Sequence, residues 1–432
     1  MAPRTDTGSA QKDLFTTAPL PVAPLDDDQR LACLRLIRSE NVGPATFRAL
    51  INQYGGATAA LEALPDIARR GGRTIRICPA SEAEAELLAA RRIGAHPLFT
   101  IEPGYPAAMA FLEHAPPMIY AAGDPALLNK PSLAVVGSRR ASAAGIKLTR
   151  QLAAEVGREG IVIVSGLARG IDAAAHEATL RTGTIAVLAG GLDIVYPPEH
   201  ADLQRRIAEQ GCLISERPPG LEPRARDFPR RNRLISGISY AVLVVEAARR
   251  SGTLITTRFA LEQGRDVMAV PGHPLDPRAE GTNDLLKRGA TLVTEASDII
   301  EAFAPLRATP PHMQQVRQDE RDRATTEPPA VLRDGGVAWP ALSEAADAPA
   351  TIGTSPPMPN SASNSETAQD LVIAALGPAP VNIDEIARST ALPVQTVQVA
   401  LLELSLAGRI EHHGSQLVSL RDPPSDRDLP GP

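Results

Sequence analysis

Aromatic side chains are scarce in this 432-residue chain: one Trp, five Tyr and seven Phe make up 3% of it. Its cores must therefore be built from Ala, Leu, Ile and Val. Cysteine is scarcer still. Cys33, Cys78 and Cys212 lie far apart with no CxxC pair, so neither a disulfide framework nor a structural zinc site is supported. No stretch approaches the ~18 uninterrupted apolar residues a membrane span needs, and the N-terminus has no apolar core of signal-peptide type. A soluble, cytoplasmic protein without membrane contact is expected. Basic charge is also in deficit. Lys and Arg number 44 against 50 Asp and Glu, a formal net charge of -6, which as a total argues against a phosphate-bearing partner.

What is present is length enough for two to four domains and an apolar share of 43%. Residues 1–25 are polar and aperiodic and read as a disordered tail. Residues 26–98 carry helical spacing, with Leu31, Leu34, Leu36 and Ile37 before an Asn41-Val42-Gly43-Pro44 turn and Phe47, Leu50 and Ile51 after it. This is similar to a SAM or helix-hairpin-helix domain. Residues 99–304 open with a Pro-rich lead-in and then change rhythm. Short apolar runs at 133–136, 161–164, 184–188, 212–214, 241–245, 267–270 and 291–293 alternate with helix-length segments. Continuous apolar strands separated by helices mean a mostly parallel sheet covered on both faces, a Rossmann-like doubly wound α/β domain. Residues 305–365 read as a disordered linker, 366–421 as three helices and a hairpin in winged-helix order, and 422–432 as a second tail.

Charge divides unevenly among these regions. Residues 131–300 hold 22 basic and 19 acidic side chains, whereas residues 301–432 hold 9 and 17. The acidity thus belongs to the linker, the winged helix and the tail. The densest basic segment carries Arg217, Arg224, Arg226, Arg230, Arg231 and Arg233, all of the residue type suited to forked contacts with phosphate oxygens. The third helix of the winged unit, between Pro393 and Gly408, has no Lys or Arg. A groove-reading helix needs basic flanks, so this module is expected to bind protein or pack internally.

Four constellations follow predicted strands: Gly137-Ser138-Arg139, Gly166 with Arg169-Gly170, Phe228 to Arg233, and Ser251-Gly252-Thr253. Strand ends feeding helix N-termini place free N–H groups at one crevice. Four loops converging there, three with arginine, imply an extended anion site fitted to successive phosphates. No GxGxxG, Walker loop, GxSxG elbow or HExxH occurs. Asp172 and His176 share a helix face without a third metal ligand, and Asp193 with Tyr196-Pro197 reads as a turn. No catalytic, metal or cofactor residue is therefore nominated.

These motifs, together with Gly191-Leu192-Asp193, Tyr196-Pro197, Phe228-Pro229-Arg230-Arg231-Asn232-Arg233, Gln263-Gly264-Arg265-Asp266-Val267 and Val270-Pro271-Gly272, resemble the DprA/Smf DNA-processing family. The resemblance implies a cytoplasmic, non-enzymatic protein of natural transformation that binds and protects single-stranded DNA. It also implies loading of the recombinase RecA and a homodimer formed through the Rossmann-like domain. The family's DNA pocket carries over to Gly137, Ser138, Arg139, Gly166, Arg169, Gly170, Phe228, Arg230, Arg231, Asn232 and Arg233, with Ser251, Gly252 and Thr253 beside them. Backbone contacts predict low sequence preference and steep salt dependence, with Arg139 and Arg231 both expected among the phosphate ligands. Two other readings stand beside this one. One is a phosphoribohydrolase-like nucleotide enzyme on the same scaffold, although the stretch from Glu246 to Thr253 lacks that family's double Gly. The other is a winged-helix transcription regulator.

Overall fold

The computed structural model describes residues 24–70, 72, 74–112, 114–311, 313, 361–377, 381–412 and 417–421. Most of the segments expected to be disordered (1–25, 305–365 and 422–432) lie outside the described residues.

Helix α1 (Asp27–Arg38) begins at a capping box. The Asp26 carboxylate accepts the Gln29 N–H at 2.7 Å, and the Gln29 side chain accepts the Asp26 N–H at 3.0 Å. Pro44 then opens α2 (Pro44–Tyr54), where its missing N–H costs nothing. Helices α3 (Ala57–Arg70) and α4 (Ala80–Arg92) complete this helical unit around Leu34, Phe47, Leu50 and Leu64.

A nine-stranded sheet follows. Its strands are β1 (Ala95–Phe99), β2 (Met118–Gly123), β3 (Ser132–Val136), β4 (Val162–Ser165), β5 (Thr184–Val187), β6 (Cys212–Ser215), β7 (Ala241–Val244), β8 (Asp266–Ala269) and β9 (Thr291–Leu292). They lie in the order β1-β2-β6-β5-β4-β3-β7-β8-β9. The strands from β6 across to β9 are parallel, and β1 and β2 join antiparallel. Every strand read from an apolar run is present.

The first two strands are not in that reading. Prolines on either side hid β2, and Pro97 hid β1, yet β1 is an edge strand whose outer N–H row needs no partner. The boundary expected at residue 98 therefore falls inside a strand of the main sheet.

Between the strands lie α5 (Ala107–Ala110), α6 (Ala143–Arg158), α7 (Ile171–Thr179), α8 (Ala201–Gln210), α9 (Asp227–Ile238), α10 (Thr253–Glu262) and α11 (Glu280–Lys287). Helix α12 (Ala296–Ala308) closes the unit and runs past the expected linker start at 305, because Leu306 is buried in its last turn. Alternate strand residues serve opposite faces. Leu133, Val135, Ile163 and Leu243 pack on α6, α7 and α12, while Ala134, Val136, Val164 and Val244 pack on α9 and α10. Burial of both faces is why the strands read as unbroken apolar runs.

Helices α13 (Ser361–Ala375), α14 (Ile383–Thr390) and α15 (Val394–Leu406) form a winged helix with β10 (Val381–Asn382), β11 (Ile410–His412) and β12 (Leu417–Leu420). Helix α15 is buried on two sides. Val397, Leu401 and Leu404 face its own unit, whereas Leu402 and Leu406 join the cluster of α2 and α3. Polar contacts ring that junction: Asn41 Nδ2 donates to the Leu406 carbonyl at 2.8 Å, and Arg70 Nε lies 3.0 Å from Glu403 Oε1. From Ala400 to Ala407 it is packed almost entirely inside the protein, whereas Val394 and Gln395 in its first turn are exposed.

No helix among the described residues is long and apolar enough to cross a membrane.

Candidate nucleic-acid interface

The strand order reverses between β3 and β7, so the chain leaves their carboxyl ends in diverging directions and opens a crevice. The Gly137-Ser138-Arg139 loop forms one wall and Ser251-Gly252-Thr253 the other. Thr253 Oγ1 donates to the Gly137 carbonyl at 3.1 Å, and the Thr253 N–H donates to Ser251 Oγ at 3.2 Å. Asn232 Nδ2 reaches the Gly252 carbonyl at 3.4 Å and ties in the third wall, α9. The groove, about 480 Å³, is open to solvent.

The Phe228 to Arg233 segment, expected as a loop, is the first half of helix α9. At 100° per residue a helix cannot turn consecutive arginines the same way. Phe228, Asn232 and Ile235 line the groove. Arg230, Arg233 and Leu234 line a separate cleft on the other side of the helix. Arg231 points inward and is only 6% exposed.

Arg231 is correspondingly not a free phosphate ligand. Its Nη1 donates to the carbonyls of Gly166 and Val187, each at 2.5 Å. Burial lowers its pKa to about 10, opposed by the nearby Asp172 carboxylate. Asp172 in turn accepts the N–H groups of Gly166 and Ala168 at 3.2 and 3.3 Å, and burial raises its pKa. Through these separate backbone contacts Arg231 and Asp172 hold the floor of the loop after β4.

Gly166 lies against that guanidinium, and a Cβ there would come within 2.3 Å of Arg231 Nη1. Gly170, at φ +75°, abuts the Ser138 carbonyl. Both glycines therefore serve packing between loops rather than ligand approach. Arg169 is paired with Glu199, and Arg233 with Glu216.

His176 donates from Nδ1 to Thr184 Oγ1 at 2.7 Å, since that hydroxyl is itself directed at the Ile163 carbonyl. Burial lowers the His176 pKa to about 3, so the ring is neutral. Asp172 and His176 are thus packing groups, and no cluster of His, Cys, Asp and Glu among the described residues could hold a metal ion. Glu246, the acidic residue after β7, accepts from both the N–H and the hydroxyl of Ser142 at the start of α6. It thereby holds Ser142, the residue that caps this helix.

The charge left at the groove is that of Arg139, Arg140 and Arg250, which are exposed and have no ion-pair partner among the described residues. Arg140 and Arg250 were not among the expected site residues. They look like ordinary surface charges in sequence, and only the meeting of two loops distant in sequence puts them together. Arg139 also lies over the Phe228 ring, 5.6 Å from its centroid. Phe228 meets Tyr196 at 5.1 Å with the rings tilted by 56°, and Tyr196 is 47% exposed. These rings border a smaller pocket of about 50 Å³, whose lining shares Arg139 and Phe228 with the groove. Tyr196, read from sequence as part of a turn, is thus a second aromatic surface of the site.

Three family profiles match in chain order. They are a DprA-like N-terminal HHH domain over residues 27–89, DNA recombination-mediator protein A over 96–304, and a DprA winged helix domain over 356–416. Protein Smf of Synechocystis sp. is 34% identical over 315 residues, covering 72% of this chain and 76% of that protein. The chain belongs to the DprA/Smf family. Protein Smf of Escherichia coli is 47% identical over 200 residues, 46% of this chain and 54% of that one, so the match spans about half of that relative's length. A solved structure concerned with the single-stranded DNA binding mode of DNA processing protein A from Helicobacter pylori is 30% identical. It covers 48% of this chain and 95% of that one with a TM-score of 0.45. The three profiles fall in turn on the helical, α/β and winged-helix parts of the chain.

Proposed function

We propose that this chain binds single-stranded DNA in the β3–β7 groove, largely without sequence preference and without chemical turnover or a cofactor. The carrying observation is the site's composition: Arg139, Arg140 and Arg250, without an ion-pair partner among the described residues, beside the touching, tilted rings of Phe228 and Tyr196. Guanidinium groups neutralise backbone phosphates and read no base identity. Exposed rings accept any unpaired base on their faces, and a duplex has none to offer. The N-terminus of α10 supplements the charge.

The DprA/Smf membership supports extending the role to natural transformation, with protection of the incoming strand and loading of RecA. A homodimer formed through the Rossmann-like unit and a cytoplasmic location belong to the same proposal, and the three unpaired cysteines suit a reducing compartment.

A gel shift of the full chain on single- and double-stranded oligonucleotides of several sequences, across salt, tests it. Tight, salt-sensitive binding of every single strand and weak binding of duplex is expected. Equal affinity for duplex, or preference for one sequence, would overturn it.

A further inference from the structure

The basic segment of α9 serves two sites, because its helical turn divides it. Arg230 and Arg233 face away from the groove into a second cleft of about 340 Å³. The far wall of that cleft belongs to the N-terminal helical unit: Arg38 at the end of α1 and the turn Val42-Gly43-Pro44. Arg217, Arg230 and Arg233 line its near side, and Arg231, which floors the groove, also borders it.

Positive charge in this cleft exceeds what the protein neutralises. Arg38 is paired with Glu86, Arg217 with Asp227 and Arg233 with Glu216. Arg230 is exposed and has no ion-pair partner among the described residues. The crowding is felt by Arg217, whose pKa is lowered first by burial and then by the charge of Arg230. Like charges held this close repel, and an incoming anion relieves the repulsion.

Continuity selects the anion. Groove and cleft lie on either side of one helix and share Arg231, so a chain of linked phosphates leaving the groove across the start of α9 meets Arg230 next. We infer that the cleft between α9 and the 42–44 turn is a second phosphate-binding subsite for the same single strand. The N-terminal helical unit is then part of the DNA track. This rests on the reading of the groove proposed above.

The test uses the full chain with oligothymidylates of about four and about sixteen nucleotides, the range of site sizes usual for such modules. Arg230→Gln and Pro44→Glu alter opposite walls of the cleft. The glutamate of Pro44→Glu stands in the first turn of α2, where the helix dipole favours it, so its effect on DNA is opposite to its effect on the helix. Each variant is expected to bind the short strand as wild type does and the long strand about fivefold more weakly, with Arg230→Gln flattening the salt slope by about 0.7. Wild-type affinity and slope on the long strand in both variants would overturn the inference. Arg139→Gln run alongside separates the two readings. Loss of binding at both lengths upholds the groove, whereas no loss at either length removes the groove reading and this one with it.

Discussion

Replacing Arg139 with Ala removes one of the three unpaired guanidinium groups at the groove and leaves the fold intact, because the side chain is exposed and makes only the ring contact with Phe228. Each phosphate neutralised on a single strand contributes about -0.7 to the slope of log affinity against log salt. Three such contacts, from Arg139, Arg140 and Arg250, set a groove slope of about -2.1, and removal of one leaves about -1.4. Between 50 and 200 mM salt the wild-type affinity for a short strand should then fall about 18-fold, and that of the variant about 7-fold. Fluorescence anisotropy of a labelled short oligothymidylate, titrated at four or five salt concentrations, resolves that difference. A variant whose slope equals that of the wild type refutes the placement of phosphates at Arg139, whatever happens to its absolute affinity.

Arg231→Met leaves Asp172 buried without its counter-charge and two carbonyls without a donor, so it should cost about 3 kcal/mol or more of stability. Urea denaturation reads this, and the remaining folded protein should keep its salt slope, unlike Arg139→Ala. Phe228→Ala should weaken single-strand binding by about 1–3 kcal/mol. Adding Tyr196→Ala should cost less than the sum of the two, because the rings touch; strict additivity would show that they act apart. His176 is neutral in the fold, with a pKa lowered by burial to about 3. The unfolded chain binds a proton there below about pH 6.5, so stability falls as pH drops from 6.5 toward 3, by ~2 kcal/mol at pH 5. The difference between wild type and His176→Asn in urea at pH 7 and pH 5 measures it, and a pH-independent difference would count against a buried neutral ring. Leu406→Ala should loosen the winged helix from α2 and α3 at a cost of about 2–4 kcal/mol, seen in calorimetry as an earlier transition.

The α/β unit was legible because its determinants are local. Apolar runs of strand length between amphipathic segments have one stable arrangement, and all seven runs became parallel strands. The Gly137 and Ser251 loops were legible for the same reason, since a strand ending in small residues before a helix marks the carboxyl edge of the sheet. The strands β1 and β2 were not legible, because proline density masks short extended segments and only the sheet shows that Pro97 lies on an edge. Glycines Gly166 and Gly170 looked like room for a ligand, and their true neighbours, Arg231 and the Ser138 carbonyl, come from elsewhere in the chain.

The amino-acid sequence by itself determined the family, the layer architecture and the location of positive charge in the α/β unit despite a total of -6. Those follow from pattern and count. The tertiary structure decided which arginines are available. Arg231 is buried, Arg169 and Arg233 are paired with acids, Arg230 faces a second cleft, Arg250 joins Arg139 and Arg140 at the groove from a distant segment, and Tyr196 borders the adjoining pocket. Counting charges along a chain cannot separate these cases. Whether a guanidinium can meet a phosphate depends on what already satisfies its donors and on which side of a helix it leaves, and both are properties of the fold.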